Sequence, residues 1–143
     1  MLYVKIYQQN PVNRYSPEDF IKSYSNAAII TDCLKLLDIF SKLTGYKGVL
    51  WTNKIGFCKY HYKSKASQGD WFVTGFAPSK IGFTIYSMAG YQKMTGLLEK
   101  LGKHKISSGS CLLIKKLEDV DQSVLEQIIT IGVKYMKENN EIL

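Results

Sequence analysis

A change in hydrophobic period near Val49 limits the folds open to this chain more than any other feature. Before it, the segment TDCLKLLDIFSKLTG carries an apolar stripe at helical spacing, made of Cys33, Leu36, Leu37, Phe40 and Leu43. That stripe predicts an amphipathic helix that faces the core and ends at Gly45. After Val49 apolar residues recur with a period of two, which is typical of strands.

The period-two region predicts four strands joined by short turns: GVLWT, KIGFCKYHYK, DWFVTGFA and KIGFTIYS. Beyond them, GYQKMTGLLEKLG predicts a helix, CLLIKK a short fifth strand, and QSVLEQIITIGVKYMKE a last helix that Asp121 caps. Ser16 as N-cap and Pro17 at the first helical position predict a helix ahead of the long one. The predicted order is α-α-β-β-β-β-α-β-α. This is an α+β fold, with an antiparallel sheet of about five strands and a meander core packed by helices.

Length and composition predict one globular domain over residues 1–143, with 45% hydrophobic and 22% charged residues. The opening MLYVKIYQQNPVNRY lacks the apolar region of a signal peptide. No apolar run reaches the roughly 20 residues that cross a bilayer, so we expect no membrane partner. Three cysteines at scattered spacing, Cys33, Cys58 and Cys111, form no disulfide framework. Together these features favour a reduced, cytoplasmic protein.

The net charge of +7 is concentrated in the middle of the chain. Residues 47–116 hold twelve lysines against Asp70 and Glu99, a net of +10, whereas the two flanks hold seven cations and ten anions. This asymmetry indicates either an anionic partner or a solubilising surface. Eighteen of the nineteen cations are lysine and one is Arg14. Because bidentate recognition of guanine or phosphate is a property of arginine, sequence-specific nucleic-acid binding is disfavoured.

The hairpin KYHYKSKASQGDW, residues 59–71, is the first candidate site. Strand alternation predicts one face that begins with Ile55 and Phe57 and continues with Lys59, His61 and Lys63. Cys58 then points away from His61, so the Cys-x-x-His spacing does not predict a metal site. Trp51 and Trp71 flank the hairpin, and their rings either stack on a ligand or pack within the protein. The lone carboxylate of this segment, Asp70, is expected to cap the turn or to pair with a lysine.

The second candidate is the segment LGKHKISSGSC, which reads as a polar loop before the fifth strand. It combines cations, hydroxyls and backbone N–H groups, which are the components of an anion-binding nest; a solvated connecting loop is the alternative. Gly109 is expected to supply an unusual backbone turn. The candidate ligands of an anion are Lys103, His104, Lys105, Ser108, Gly109 and Ser110. No paired carboxylates or base–nucleophile set accompany them, so we expect no enzyme activity and no cofactor.

Several short motifs along the chain resemble the YdhG-like family of bacterial conserved domains of unknown function. They are LTG at 43–45, Trp51, IGF at 55–57, YHYKSKASQGDW at 60–71, TGFAPSK at 74–80, LGKHK at 101–105 and GSCLLIKKLEDVD at 109–121. The resemblance covers a core of about residues 16–137. It implies an antiparallel sheet packed by helices and no established reaction.

The chain departs from the family pattern in three places. The family's SGREGDW loop is SKASQGDW here, its GFSPRK is GFAPSK, and its HKTGK loop is HKISSGS. One branch of the family is likened to frataxin and regarded as an iron chaperone, a role that needs an exposed carboxylate ridge.

The leading hypothesis is therefore a non-enzymatic binding module. It would accept a small anionic ligand or an acidic protein surface through a basic, aromatic sheet face and the Lys103–Ser110 loop. A frataxin-like iron-binding protein is the alternative. Single-strand nucleic-acid binding is a third and weaker hypothesis, because aromatic residues lie among the lysines.

Overall fold

A six-stranded antiparallel sheet in the order β1-β2-β3-β4-β6-β5 forms one layer of the computed structural model, which describes residues 16–143. Its strands are β1 (Val49–Trp51), β2 (Lys54–Lys63), β3 (Gln68–Pro78), β4 (Phe83–Ser87), β5 (Lys105–Ser108) and β6 (Cys111–Ile114). The helices of this part of the chain are α1 (Pro17–Lys22), α2 (Ala27–Thr44), α3 (Thr95–Leu101) and α4 (Gln122–Asn139). The predicted α+β class, antiparallel sheet and β1–β4 meander are confirmed, with six strands instead of about five.

Three predicted helix ends, at Ser16, Asp121 and Gly45, are confirmed, whereas α3 begins only at Thr95, after a 3-10 turn over Gln92–Met94. The Ser16 hydroxyl accepts from the Asp19 N–H at 3.1 Å, and the Asp121 carboxylate accepts from the Val124 N–H at 3.2 Å. Gly45 ends α2 in the left-handed conformation, with φ of 74°. The helix α2 begins at Ala27, four residues before the predicted segment, because Asn26 supplies its N-cap.

The hydrophobic core lies between the sheet and the helices. Phe40 of α2 stacks on Phe57 of β2 with ring centroids 5.1 Å apart, and it contacts Phe76 of β3 at 5.4 Å. The buried stripe of α4 includes Ile128, although Ile131 of the same helix is 45% exposed. Ile131 and the adjacent Thr130 lie on the solvent-facing side of the helix.

Strand β2 changes the direction of its side chains at Cys58. Cys58 has a left-handed φ of 64°, and the ladder with β3 pairs Phe57 and Lys59 but skips Cys58. As a result Phe57 and Cys58, which are consecutive, both belong to the core, and Tyr60 packs against it. The predicted single face running from Ile55 to Lys63 is therefore wrong, because a left-handed residue interrupts the two-residue alternation of an extended strand.

The predicted polar loop after α3 is largely a strand. Lys105–Ser108 pairs with Cys111–Ile114 as a tight hairpin and forms the edge of the sheet. No helix formed by residues 16–143 combines the length and apolar character that crossing a bilayer requires. The opening segment 1–15, in which we expect no signal peptide, and Arg14 within it lie outside the described residues.

Candidate functional site

A cleft of about 540 Å³ lies between the Ser79–Gly82 turn, which joins β3 to β4, and the segment that leads from α3 into β5. Its size is within the range of small-molecule sites in proteins. Three lysines, one histidine and one aspartate provide its charged and titratable groups. The lining residues are Ser79, Ile81, Gly82, Phe83, Thr84, Lys103, His104, Lys105, Leu113, Ile114, Lys115 and Asp119.

Strand register carries Lys105 to this cleft. Thr84 of β4 pairs with Leu113 of β6, and Leu113 pairs in turn with Lys105 of β5. Directly paired residues share a face of the sheet, so these three side chains form a row. The neighbours of Thr84 and Leu113 on their strands, such as Ile85 and Leu112, belong to the core. The row therefore lies on the sheet face turned away from the helices, which we call the outer face.

Backbone contacts fix the position of Lys103. Gly102 ends α3 with a φ of 112° and forms an isolated bridge with Val120. The Lys103 N–H donates to the carbonyl oxygen of Asp119 at 3.1 Å. The segment after β6 is thus tied to the segment before β5, and Lys103 and Asp119 are held beside the same cleft.

The His104 ring is oriented by a hydrogen bond to its own turn. Its Nδ1 lies 2.7 Å from the carbonyl oxygen of Gly102, and a carbonyl accepts only, so Nδ1 carries the proton. The other ring nitrogen, Nε2, then accepts a hydrogen bond in the neutral ring and donates one in the protonated ring. This half-buried histidine adds a hydrogen-bonding group to the three lysines and one aspartate that line the cleft.

The rest of the cleft wall is mainly apolar, with Ser79 and Thr84 as its other polar side chains. Phe83 and Ile114 are almost fully buried and belong also to the core, whereas Leu113 is half-buried. Ile81 projects from the turn and is 70% exposed, the largest exposed fraction among the large hydrophobic side chains of residues 16–143. That turn is closed by the Ser79 N–H, which donates to the Gly82 carbonyl oxygen at 2.9 Å.

The structure brings together only half of the predicted anion-binding loop. Lys103, His104 and Lys105 line the cleft, whereas Ser108, Gly109 and Ser110 lie at the far end of the β5–β6 hairpin and do not line it. At about 3.3 Å per strand residue, Ser108 is about 10 Å from Lys105. The prediction of one continuous nest over Lys103–Ser110 is therefore wrong, because β5 extends the segment.

The hairpin turn contributes to packing instead of forming a nest. The carbonyl oxygen of Gly109 accepts from the Tyr91 N–H at 2.9 Å, and that of Ser110 accepts from the Ser87 N–H at 3.1 Å. Gly109 does not adopt a left-handed φ, contrary to expectation. A Cβ at Gly109 would lie 2.9 Å from the side-chain nitrogen of Gln92, the end of a flexible side chain that can move aside, so neither φ nor space requires glycine here.

The predicted hairpin residues lie on the same outer face as the cleft but far from it. Lys59 and His61 follow the change of direction at Cys58 and point away from the core. Four strand spacings separate β2 from β5, which is about 19 Å across the sheet. Lys59, His61 and Lys63 therefore do not join Lys103 and Lys105 in one site.

His61 is part of a hydrogen-bonded chain on the hairpin. Its Nδ1 lies 3.0 Å from Oδ1 of Asp70, and its Nε2 lies 3.3 Å from Oε1 of Gln68. The hydrogen bond with Asp70, followed by that with Gln68, raises the pKa of His61 above its usual value of 6.5. Asp70 thus pairs with a histidine, and neither predicted role, turn cap or lysine partner, is observed.

The two tryptophans pack chiefly on neighbouring aromatic rings. Trp51 contacts Trp71 edge-on, with ring centroids 5.3 Å apart, and Phe72 at 5.8 Å. Trp71 in turn stacks on Phe72 at 4.8 Å. Trp51 is 5% exposed, so its ring has little surface left for a ligand, whereas Trp71 is half-buried. Of the two roles considered from the sequence, ligand stacking and packing within the protein, the structure shows packing for Trp51.

Nine of the twelve lining residues were missed from the sequence. Ile81, Lys115 and Asp119 are examples, and they lie in segments that a period or a motif does not mark as a site. The one signal for Lys115 in the sequence is the pair of adjacent lysines at the end of CLLIKK. To place that pair beside Lys103 and Lys105, one would also need the register between β4, β6 and β5. That register is a long-range property of the fold.

Carboxylates and thiols do not form a cluster of metal ligands. Within residues 16–143 no three His, Cys, Asp or Glu side chains come close enough to hold a metal ion. Asp32 accepts from the Leu117 N–H at 3.0 Å, and Asp38 pairs with Lys42 at 2.9 Å. Burial, with a smaller contribution from Asp32, raises the pKa of Cys33 to about 12, so its thiol stays protonated at neutral pH. Iron binding, the alternative from the sequence, has no supporting geometry in this part of the chain.

Comparisons of the chain with protein-family models, with curated proteins and with solved structures find no match. Membership of the YdhG-like family therefore stays a prediction from the short motifs.

Proposed function

We propose that this protein is a non-enzymatic binding module that holds a small anionic ligand in the cleft between the Ser79–Gly82 turn and β5. The observation that supports this function best is the convergence of Lys103, Lys105 and Lys115 on one concave site of about 540 Å³. A concave surface with cations of one sign concentrates field lines and attracts anions. The acidic protein surface considered from the sequence is the competing partner, and a concave site favours the small ligand.

The expected contribution of each lysine is moderate because the cleft is open to water on one side. A charge-assisted hydrogen bond contributes roughly 1.5–3 kcal/mol where water is partly excluded, and well under 1 kcal/mol at an open surface. Taking about 1 kcal/mol for each of Lys103 and Lys105, loss of both weakens binding by about 2 kcal/mol, which is about 30-fold.

The test is a binding titration with phosphorylated and carboxylated metabolites at low salt, followed by calorimetry on the best ligand. The variant Lys103→Ala/Lys105→Ala is compared with Lys59→Ala/Lys63→Ala, which removes the same charge from the distant hairpin. We expect about 30-fold weaker binding for the first variant and less than 3-fold for the second. Equal losses would assign the effect to diffuse surface charge, and no binding by the unaltered protein would contradict the proposal outright.

The proposal also covers the absence of catalysis, the cellular compartment and the family of the protein. We infer that the protein works without catalysis, since the basic segment holds no paired carboxylates and Cys33 is protonated at neutral pH. The three cysteines have free thiols, which supports a reducing, cytoplasmic environment. Membership of the YdhG-like family is proposed on the motifs from LTG at 43–45 to GSCLLIKKLEDVD at 109–121.

A further inference from the structure

We infer that the ligand of this cleft is an amphiphilic anion, in which one carboxylate or phosphate headgroup is carried on an apolar body. The inference rests on the proposed function and names its ligand class. Two independent properties of the cleft support it: its small excess of positive charge and its apolar wall.

The charge of the cleft suits a headgroup of low charge. Lys103, Lys105 and Lys115 supply three positive charges and Asp119 one negative charge, so the formal balance is 3 − 1 = +2 with His104 neutral. A headgroup with one or two negative charges is neutralised by this set. A polyphosphate would exceed it and would place further negative charge near the Asp119 carboxylate, at an energetic cost.

The apolar wall is matched by an apolar ligand body. Ile81, which lines the cleft from the Ser79–Gly82 turn, is 70% exposed, and Leu113 is half-buried between Thr84 and Lys105 in the row of strand residues. Covering an isoleucine that is largely exposed removes apolar surface from water, which favours binding of a hydrocarbon or ring. The lysine side chains add their own methylene stems to this wall while their ammonium groups reach the headgroup.

The size of the cleft supports the same conclusion. At about 30 Å³ per water molecule, 540 Å³ corresponds to roughly eighteen waters. A bare inorganic anion occupies a small part of that volume and leaves the apolar wall wet. Ligand sites are usually lined by apolar groups, with a few polar groups that fix orientation.

The experiment is calorimetric titration of the full chain at low salt with two matched pairs: hexyl phosphate against methyl phosphate, and heptanoate against acetate. We expect the longer member of at least one pair to bind at least tenfold more tightly than the shorter one, and the pair that shows this identifies the headgroup. The variant Ile81→Ser should lose about fivefold for the longer ligand and nothing for the shorter one. The control Ile131→Ser, on the solvent-facing side of α4, should leave both unchanged.

The outcomes separate this inference from the proposed function. Equal affinity within both pairs, or equal weakening of both members by Ile81→Ser, would overturn the amphiphile and leave anion binding intact. Tighter binding of pyrophosphate or of a glutamate-rich peptide than of any amphiphile would also overturn it. Absence of binding by every anion would remove the proposed function together with this inference.

Discussion

The left-handed Cys58 in the middle of β2 allows a quantitative test of the local reasoning. An L-residue in this conformation costs roughly 1–2 kcal/mol, because its Cβ crowds the following carbonyl oxygen. Glycine escapes that cost, whereas alanine keeps it. Glycine also has greater freedom in the unfolded chain, which lowers stability by about 0.5–1 kcal/mol relative to alanine. For Cys58→Gly relative to Cys58→Ala, the two backbone effects favour glycine by up to about 1.5 kcal/mol, and loss of the buried alanine methyl group costs about 0.8 kcal/mol, so we expect the two variants to differ by less than about 1 kcal/mol.

The neighbouring Lys59 is the matched control, since it lies on the same strand without a positive φ. There Lys59→Gly should be less stable than Lys59→Ala by about 0.5–1 kcal/mol, because only the entropic effect acts. Because Cys58 is buried and Lys59 is exposed, the difference between the two comparisons is the left-handed cost less about 0.8 kcal/mol for the buried alanine methyl group, with an expected value of about 0.2–1.2 kcal/mol.

The assay is urea unfolding of the four variants, monitored by tryptophan fluorescence, with free energies from linear extrapolation. Comparing alanine with glycine at one position cancels the loss of the cysteine sulfur, which occurs in both variants. A glycine penalty at Cys58 as large as the one at Lys59 would refute the reasoning. It would mean that β2 runs through this position without a left-handed residue and that the predicted alternation was right.

Three further predictions follow from contacts in the fold. The raised pKa of His61 means that its pairing with Asp70 stabilises the fold fully below pH 6.5 and that this stabilisation is lost as pH rises through the folded-state pKa of His61. In urea unfolding, the unaltered protein should therefore exceed Asp70→Asn in stability by more at pH 6 than at pH 9, and a pH-independent difference would contradict the pairing. In the same assay, Phe40→Ala should lower the free energy of unfolding by about 3–5 kcal/mol and Phe40→Leu by clearly less, because Phe40 contacts two other rings of the core. Equal losses in the two variants would show that the ring contacts are unimportant. In thermal unfolding, Gly75→Ala should destabilise the protein by about 1–3 kcal/mol or more, because the added Cβ would overlap a backbone carbonyl oxygen of β2. Gly96→Ala, at a helix position with open space, should stabilise it by about 0.4–1 kcal/mol, and the reverse order of the two variants would be incompatible with this packing.

Helix ends and core stripes could be predicted because they depend on residues close together in the chain. The caps at Ser16 and Asp121 and the left-handed Gly45 each involve a hydrogen bond or a backbone conformation within a few residues. The stripe through Phe40 follows from helical periodicity alone. The β1–β4 meander could be predicted for a related reason, because short turns leave consecutive strands few other ways to pair.

The candidate site could be predicted only in part. Lys103, His104 and Lys105 stood out because cations cluster there in sequence, and these residues line the cleft. Ser108 and Gly109 were grouped with them because the segment resembled a loop, although pairing with β6 extends it into a strand. An exposed strand of four polar or weakly apolar residues carries too little periodicity to be recognised from its own sequence.

The amino-acid sequence by itself determined the α+β class, the helix ends at Ser16, Gly45 and Asp121, and the concentration of lysines between residues 47 and 116, because period, capping and charge are local properties. Only the tertiary structure decided that Ile81 and Lys115 lie beside Lys103, and that Cys58 turns the basic part of β2 away from the core. These relations depend on strand register and on one backbone conformation that long-range packing selects. Ile81 and Lys103, for example, are 22 positions apart in the chain, and they lie beside the same cleft only because β4, β6 and β5 pair.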